Sequence, residues 1–204
     1  MNLIDLTVKD FSAVLASDAP APGGGSTAAL SGALGAALVS MVANLTKGRE
    51  KYAEYEKLAR DVLLKSEELR ARLLEAVQKD TNAFDAVMAA FALPKDTDEA
   101  KAARNAAIQA AYKEAIASPA ATAEYCLEVV RLAVSLAGKS NPNAASDLTV
   151  GAAQAHAGLK GAAANVRINL PSIKDAAYVV EKKDLIARLE AEALKLLVIF
   201  EPPE

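Results

Sequence analysis

The chain contains few of the residue types that build metal, thiol or disulfide chemistry. Its 204 residues include one cysteine, one histidine and no tryptophan, and aromatic residues make up 4%. A single cysteine cannot form a disulfide within the chain, and Cys126 shares a helical face with apolar residues, which favours burial in the core. Because His156 has no nearby cysteine or carboxylate cluster, we predict no metal site.

The charge balance excludes other classes of protein. The formal net charge is −3, with 23 basic and 26 acidic residues, and the sequence has no basic footprint for nucleic acid. The first five residues lack the basic and apolar regions of a signal peptide. We therefore predict a cytoplasmic protein that does not bind nucleic acid.

A stretch without charge, Ser26 to Leu45, is long enough to cross a membrane. It is rich in serine, glycine and alanine rather than in leucine, isoleucine and phenylalanine, and no second segment could accompany it. We therefore predict a buried central helix and no contact with a membrane.

The remaining pattern predicts an all-α bundle in a single domain over residues 1–204. Apolar residues reach 52%, many of them alanine, and no strand alternation is evident. We expect about seven helices, including a long amphipathic one from about Glu50 to Ala92. Ser118-Pro119 predicts the start of a separate fifth helix, and Ser172-x-x-Asp175 predicts the cap of the last.

A segment rich in proline and glycine, Ala19 to Ser26, leads directly into the uncharged stretch. Glycine lets the backbone approach another group closely, and the first turn of a helix carries unpaired N–H groups. The segment therefore predicts a pocket for an anion or a carbonyl at a helix N-terminus. The alternative is a flexible turn before a buried helix.

Asp80 falls on the apolar stripe of the long helix. It lies three residues after Val77 and four before Phe84, and Phe91 continues the same stripe. We predict that Val77, Phe84 and Phe91 are core residues. A carboxylate at such a position must be paired, hydrogen-bonded or functional. The structural alternative is a partner at a helix terminus or a hydroxyl group. Asp85, a second candidate, projects about 140° away around the helix.

Another predicted helix carries polar residues at both ends of a stripe of glycine and alanine. Asp147 stands at one end, and Asn165 and Asn169 stand at the other. These groups either pair across a helix interface or bind a ligand. Lys47 and Arg49, which follow the uncharged stretch, are either surface charges at a helix C-terminus or an anion clamp.

Taken together, these motifs resemble the cyclodeaminase/cyclohydrolase family over nearly the whole chain. The resemblance implies an all-helical, dimeric enzyme that acts on tetrahydrofolate carrying a one-carbon unit. The matching segments are residues 20–26 and 33–46, Asp80-x-x-Ala83-Phe84-Asp85-Ala86-Val87, residues 93–97, Asn143-x-x-Ser146-Asp147 and Asn165-Val166-x-Ile168-Asn169.

The family contains two activities. The cyclohydrolase interconverts 5,10-methenyltetrahydrofolate and 10-formyltetrahydrofolate, and the cyclodeaminase closes 5-formiminotetrahydrofolate to the methenyl form with loss of ammonia. Residues 93–104 resemble the bacterial cyclohydrolase branch, so we predict reversible hydrolysis, with the cyclodeaminase as the alternative. A non-catalytic helical dimerisation or scaffold protein is the third possibility. It predicts an exposed apolar seam without an enclosed polar cluster.

The resemblance also implies roles for individual residues. Asp80 is the expected base and stabiliser of the cationic substrate, and Lys47 is its expected proton-transfer partner. We expect no metal and no cofactor beyond the folate substrate, polyglutamylated forms included, and a homodimer that covers the apolar helices. The predicted substrate-binding residues are Gly23, Gly24, Gly25, Ser26, Asp85, Lys95, Asn143, Ser146, Asp147 and Asn165, with Lys101 and Arg104 as further candidates for the glutamate tail.

Overall fold

The structure, a computed structural model, describes residues 2–201, which form helices and contain no strand. The all-α prediction is confirmed, while the ends of the predicted domain, residue 1 and residues 202–204, lie outside the described range. Short 3-10 segments join several of the helices. The six α-helices are α1 (Val8–Leu15), α2 (Gly24–Thr46), α3 (Glu56–Phe91), α4 (Asp98–Leu136), α5 (Ala145–Asn169) and α6 (Ala176–Leu197).

Helix α4 is the reason that the described range has six helices rather than the predicted seven. The prediction of a boundary at Ser118 was wrong, because α4 continues through this point with Pro119 in its interior. Proline lacks an N–H, so the carbonyl of Ala115 loses its helical partner. The side-chain amide of Asn169 donates to that carbonyl at 3.3 Å. A hydrogen bond from α5 thus replaces the one that the proline removes.

The other helix ends follow local chemistry. Thr7 and Thr97 cap α1 and α4, since each hydroxyl accepts a hydrogen bond from an N–H in the first turn. Gly48, with φ +68°, follows Lys47, the C-cap of α2, in the left-handed conformation that glycine favours. At α6 the cap is Asp175, and Ser172 lies in the preceding 3-10 segment.

Helix α2 lies between α3 and α5 and runs antiparallel to both. The Ser40 and Ser66 hydroxyls hydrogen-bond at 2.7 Å between α2 and α3, and Thr46 Oγ1 accepts from the Asn141 N–H, before α5, at 3.0 Å. Helix α4 packs against α3 and α5 and also touches α2, while α6 packs mainly on α4. Helices α2 to α6 therefore share one hydrophobic core.

The α2–α5 contact is so close that backbone meets backbone. A Cβ added at Gly35 would lie 2.7 Å from the Gly151 carbonyl oxygen, and one added at Gly158 would lie 2.7 Å from the Ala28 carbonyl oxygen. Real Cβ atoms do not approach that closely, so glycine is needed at both positions. The small residues on the two helices thus set the distance between them.

Helix α2 is also long and apolar enough to cross a membrane, with a mean hydropathy of 1.7 over its most apolar window. Of that window, 56% is buried inside the protein. The core helix of a soluble protein passes the same test of length and composition.

We expect Gly158→Ala to lower the free energy of unfolding by about 1–3 kcal/mol, the usual cost of overpacking a core. The new methyl group would meet backbone atoms of α2, which cannot move aside independently. Gly161→Ala, one turn later, is the matched control, because its Cβ would meet the Ala28 methyl group at 3.0 Å. Urea unfolding measures both variants. Equal destabilisation of the two would contradict this account of the α2–α5 contact.

Candidate active site

A cleft of about 360 Å³ opens at the N-terminus of α2. The C-terminal parts of α3 and α5 flank it, and α4 contributes Tyr112 and Ala115 to its wall. The cleft therefore exists because α2 begins between its two neighbours instead of extending alongside them. Its polar lining residues are Asp80, Thr81, Asn165 and Asn169, together with the backbone of Gly23, Gly24 and Gly25.

Asp80 is half-buried at the first turn of α2, opposite Ser26. The Ser26 hydroxyl lies 2.8 Å from the Val77 carbonyl oxygen and 3.3 Å from Asp80 Oδ2, and donates its single proton to these two acceptors. The first N–H groups of α2 have no partner within the helix. A carboxylate here faces the positive end of the helix dipole, which stabilises its charged form.

Gly25 makes this approach possible. A Cβ at position 25 would lie 2.0 Å from Asp80 Oδ1 and 2.4 Å from its carboxyl carbon, so any side chain would displace the carboxylate. At Gly24 the constraint is milder, because an added Cβ would meet Asn165 Nδ2 at 3.3 Å. Gly25 is therefore the glycine of the predicted motif that must lack a side chain for Asp80 to occupy this position.

Burial raises the pKa of the Asp80 carboxyl above its ordinary value. Hydrogen bonds from the Ser26 side chain and backbone act in the opposite direction but do not cancel the effect of burial. A carboxylate with a raised pKa is a stronger base than an ordinary aspartate. Asp80 can therefore take a proton from a group bound in the cleft.

Aromatic and apolar side chains form the rest of the cleft wall. The Phe91 and Tyr112 rings pack edge to face, with centroids 6.1 Å apart, and Phe84 and Met88 are 37% and 54% exposed. The prediction of Phe84 and Phe91 as core residues was wrong, since both line the cleft. The sequence did contain a signal for this wall, because these aromatic residues share a helical stripe with the Asp80 carboxylate.

A cationic side chain at the rim of the cleft contacts the aromatic wall. The Arg104 guanidinium lies 5.5 Å from the centre of the Phe91 ring and donates hydrogen bonds to the Phe91 carbonyl. Lys95 is exposed in the loop between α3 and α4, four residues beyond Phe91. Lys101 pairs with Asp98 at 2.9 Å on the exposed side of α4.

The structure brings together Asp80, Asn165 and the segment Gly23–Ser26, whose three glycines line the cleft and whose serine hydrogen-bonds Asp80. The Asn165 amide also donates to the Gly161 carbonyl at 2.9 Å, which fixes its orientation on α5. Asp85 is exposed and does not line the cleft. Its predicted role in substrate binding has no support from its position.

A second group of predicted residues lies at the other end of the bundle. Lys47 follows the last residue of α2, Asn143 lies in the 3-10 segment before α5, and Ser146 and Asp147 lie in the first turn of α5. A 23-residue helix is about 34 Å long, so Lys47 is far from the Asp80 cleft of its own chain. These four predicted residues therefore do not lie in the Asp80 cleft of their own chain.

The donor set of the cleft consists of one carboxylate, two carboxamides, a threonine hydroxyl, a tyrosine and backbone groups. Among residues 2–201, no three side chains of histidine, cysteine, aspartate or glutamate cluster in a way that could hold a metal ion. The cleft thus offers a ligand an apolar aromatic wall beside a small group of polar side chains.

Comparison with known proteins places this architecture in a family. A family model described as formiminotransferase-cyclodeaminase matches residues 7–188. The chain is 50% identical over 187 residues to a methenyltetrahydrofolate cyclohydrolase of Methylorubrum extorquens, an alignment that covers 92% of this chain and 90% of that protein. The chain belongs to the formiminotransferase-cyclodeaminase family, and the resemblance inferred from its motifs is confirmed.

More distant relatives combine the same region with further sequence. The formimidoyltransferase-cyclodeaminase of Sus scrofa is 36% identical over 192 residues, which cover 94% of this chain and 36% of that protein. The crystal structure of formiminotetrahydrofolate cyclodeaminase from Thermotoga maritima superposes with a TM-score of 0.87 at 29% identity, covering 97% of this chain and 94% of that one. This chain therefore shares its fold with a formiminotetrahydrofolate cyclodeaminase.

We expect the melting temperature of Asp80→Asn to rise relative to the wild type as the pH increases from 4 to 8. A raised pKa in the folded state means that stability is lost as the pH rises through that pKa, because the buried carboxyl must ionise. Asparagine does not ionise and escapes this loss. Thermal unfolding across the pH series measures the difference between the two proteins. A difference that shrinks with increasing pH would show that the helix N-terminus outweighs burial at Asp80.

Proposed function

We propose that this protein hydrolyses 5,10-methenyltetrahydrofolate to 10-formyltetrahydrofolate and catalyses the reverse reaction. The observation that carries the proposal is the Asp80 carboxylate, held against Gly25 and Ser26 in a cleft with an aromatic wall. The protein of Methylorubrum extorquens, half identical over nearly its full length, supports the cyclohydrolase in particular.

The chemistry requires a base beside a cationic carbon. The methenyl carbon bridges two nitrogens as an amidinium cation, which a carboxylate stabilises strongly in a site shielded from water. A water molecule adds to this carbon while Asp80 accepts one of its protons. The bond from the carbon to the ring nitrogen N5 then breaks, and N5 receives a proton. The formyl group stays on N10, and the net reaction consumes water and releases one proton.

The cleft wall suits the substrate's shape. Phe84, Phe91 and Tyr112 offer an apolar surface to the flat pterin ring, and the Asn165 amide lies where it can hydrogen-bond the polar edge of that ring. Lys95 and Arg104, at the rim, are placed to meet the glutamate tail, and polyglutamylated forms would gain further ionic contacts. The reaction requires only water and the folate, so we propose no additional cofactor. The cytoplasmic location stays a prediction from the sequence.

The cyclodeaminase reaction is the second candidate, favoured by the fold shared with the Thermotoga maritima enzyme. Closure of 5-formiminotetrahydrofolate passes through a similar tetrahedral carbon, and ammonia rather than water leaves. A scaffold protein would need no enclosed carboxylate, so the position of Asp80 argues against that alternative.

The test follows the absorbance of methenyltetrahydrofolate in the ultraviolet. We expect the protein to accelerate loss of this absorbance above the spontaneous rate, and to form it slowly or not at all from 5-formiminotetrahydrofolate. Boiled protein and buffer serve as controls. Faster turnover of the formimino substrate would assign the cyclodeaminase activity, and no turnover of either would overturn the proposal.

We expect Asp80→Asn to lower the rate of hydrolysis by about 10²–10⁴, the usual contribution of a positioned base. The substitution keeps the size of the side chain and removes its charge. Asp85→Asn, on the exposed side of the same helix, is the matched control and should stay within a few-fold of wild type. Steady-state kinetics with a thermal melt of each variant measures both effects. A folded Asp80→Asn enzyme with nearly normal turnover would contradict the assignment.

A further inference from the structure

Two asparagine side chains on α5 line the cleft one helical turn apart. Asn165 and Asn169 are both half-buried there. A Cβ added at Gly24 would meet Asn165 Nδ2 at 3.3 Å, so Asn165 lies beside the first residue of α2. Asn169 lies about 6 Å further along α5, beyond the start of α2. The pair therefore extends the polar part of the cleft into the space that α2 leaves open.

Backbone carbonyls fix the orientation of both side-chain amides. Asn165 Nδ2 donates to the Gly161 carbonyl oxygen at 2.9 Å. Asn169 Nδ2 donates to the Asn165 carbonyl oxygen at 3.0 Å and to the Ala115 carbonyl oxygen at 3.3 Å. The Ala115 carbonyl is available because Pro119 has no N–H. A flipped Asn169 amide would place its oxygen against two carbonyl oxygens, so only the observed orientation is stable.

This orientation determines what each amide can still offer a ligand. Asn169 uses both of its N–H groups on the protein, so it can act towards a ligand only as an acceptor, through Oδ1. Asn165 uses one N–H and keeps the second N–H together with Oδ1. Within residues 2–201, no group donates to either Oδ1, and the one fully buried side-chain atom without a partner is His156 Nε2. Both oxygens are therefore open to the cleft, and the pair offers one donor and two acceptors.

We propose that Asn169 is a specificity-determining residue that accepts a hydrogen bond from the 2-amino group of the pterin ring. Asn165 pairs with the adjacent lactam edge. That edge of the ring carries, in order, the C4 carbonyl oxygen, the N3–H and the 2-amino group, which are one acceptor and two donors. Asn165 complements the first two with its free N–H and Oδ1, and Asn169 Oδ1 complements the third. The identity of the ring rests on the proposed function, whereas the requirement for a donor at Asn169 does not.

The order of groups along the cleft agrees with the order along the ring. The Asp80 carboxylate lies against Gly25, and Asn165 lies against the preceding residue, Gly24. Asn169 lies one turn beyond Asn165. Along the ring, N5 is followed by the C4 carbonyl oxygen, then N3, then the 2-amino group. A ring whose amino group meets Asn169 therefore has N5, and the methenyl carbon bonded to it, on the side of Asp80.

The binding of two reduced folates tests this subsite without any turnover. The probes are 5-formyltetrahydrofolate and the analogue in which a methyl group replaces the 2-amino group, and isothermal titration calorimetry measures both dissociation constants. We expect the wild type to bind the analogue about 10–100-fold more weakly, because Asn169 Oδ1 would lack a donor. In Asn169→Leu this ratio should fall below about 3-fold, since the two changes remove the same hydrogen bond. Asn82→Leu, exposed on α3, is the control and should keep the wild-type ratio.

A second variant separates the loss of binding from any loss of stability. Asn169→Leu removes the partner of the Ala115 carbonyl, so we expect its melting temperature to fall by about 3–10 °C. Adding Pro119→Ala supplies a helical N–H to that carbonyl. The double variant should regain most of the lost melting temperature and still bind the two probes with similar affinity.

The outcomes distinguish the subsite from the reaction. An unchanged ratio in Asn169→Leu or in the double variant would overturn the subsite, as would equal binding of the two probes by the wild type. If Asn169→Leu loses the ratio but the wild type turns over no methenyltetrahydrofolate, the proposed reaction is refuted and the subsite stands. Turnover by the wild type together with an unchanged ratio would refute the subsite and leave the reaction standing.

Discussion

Helix α2 packs so closely against α3 and α5 that it sets the positions of both helices. Its glycines and alanines let α5 approach until a methyl group at Gly35 or Gly158 would strike backbone atoms. On the other side, hydroxyl contacts such as Ser40 to Ser66 join it to α3. Since packed cores do not deform continuously, the distance between α3 and α5 is set by the width of α2. Where α2 begins, that distance persists without a helix to fill it, and the cleft is the result.

The cleft places two opposing effects on one carboxylate. The N-terminus of α2 and the Ser26 hydrogen bonds favour ionised Asp80, while burial favours the protonated form, and burial dominates. Gly25 keeps the carboxylate in contact with the helix end, where any side chain would displace it. The same helix that organises the core thus also determines the basicity of Asp80. Asn169 joins the two roles, since it lines the cleft and also satisfies the carbonyl freed by Pro119.

The sequence predicted the structure correctly where the pattern of a single helix or segment determined it. The uncharged run predicted α2, and the position of Asp80 on an apolar stripe, together with the glycine segment, predicted the central contact of the cleft. Prediction from the sequence failed where the position of a residue depended on its packing against another helix. The proline in α4 is accommodated by Asn169, which is 50 residues away from it in the chain, and Phe84 is exposed because α2 begins beside it. The separation of Lys47 from Asp80 could not be read from motif order, because antiparallel packing was needed to place them at opposite ends.

In the proposed reaction, the charge of the bound substrate changes the pKa of Asp80 at each step. The bound methenyl group is a cation, and a cation near a carboxyl lowers the carboxyl's pKa, so substrate binding opposes the effect of burial and keeps Asp80 ionised. Addition of water removes the positive charge from the carbon. Because Asp80 accepts a proton from the water as it adds, the carbon centre and the carboxyl become neutral together, and burial then favours the protonated carboxyl. In the reverse direction, the neutral formyl substrate meets a carboxyl that holds a proton more readily, which favours expulsion of water. A half-buried carboxylate therefore serves both directions because its pKa follows the charge of the group that it faces.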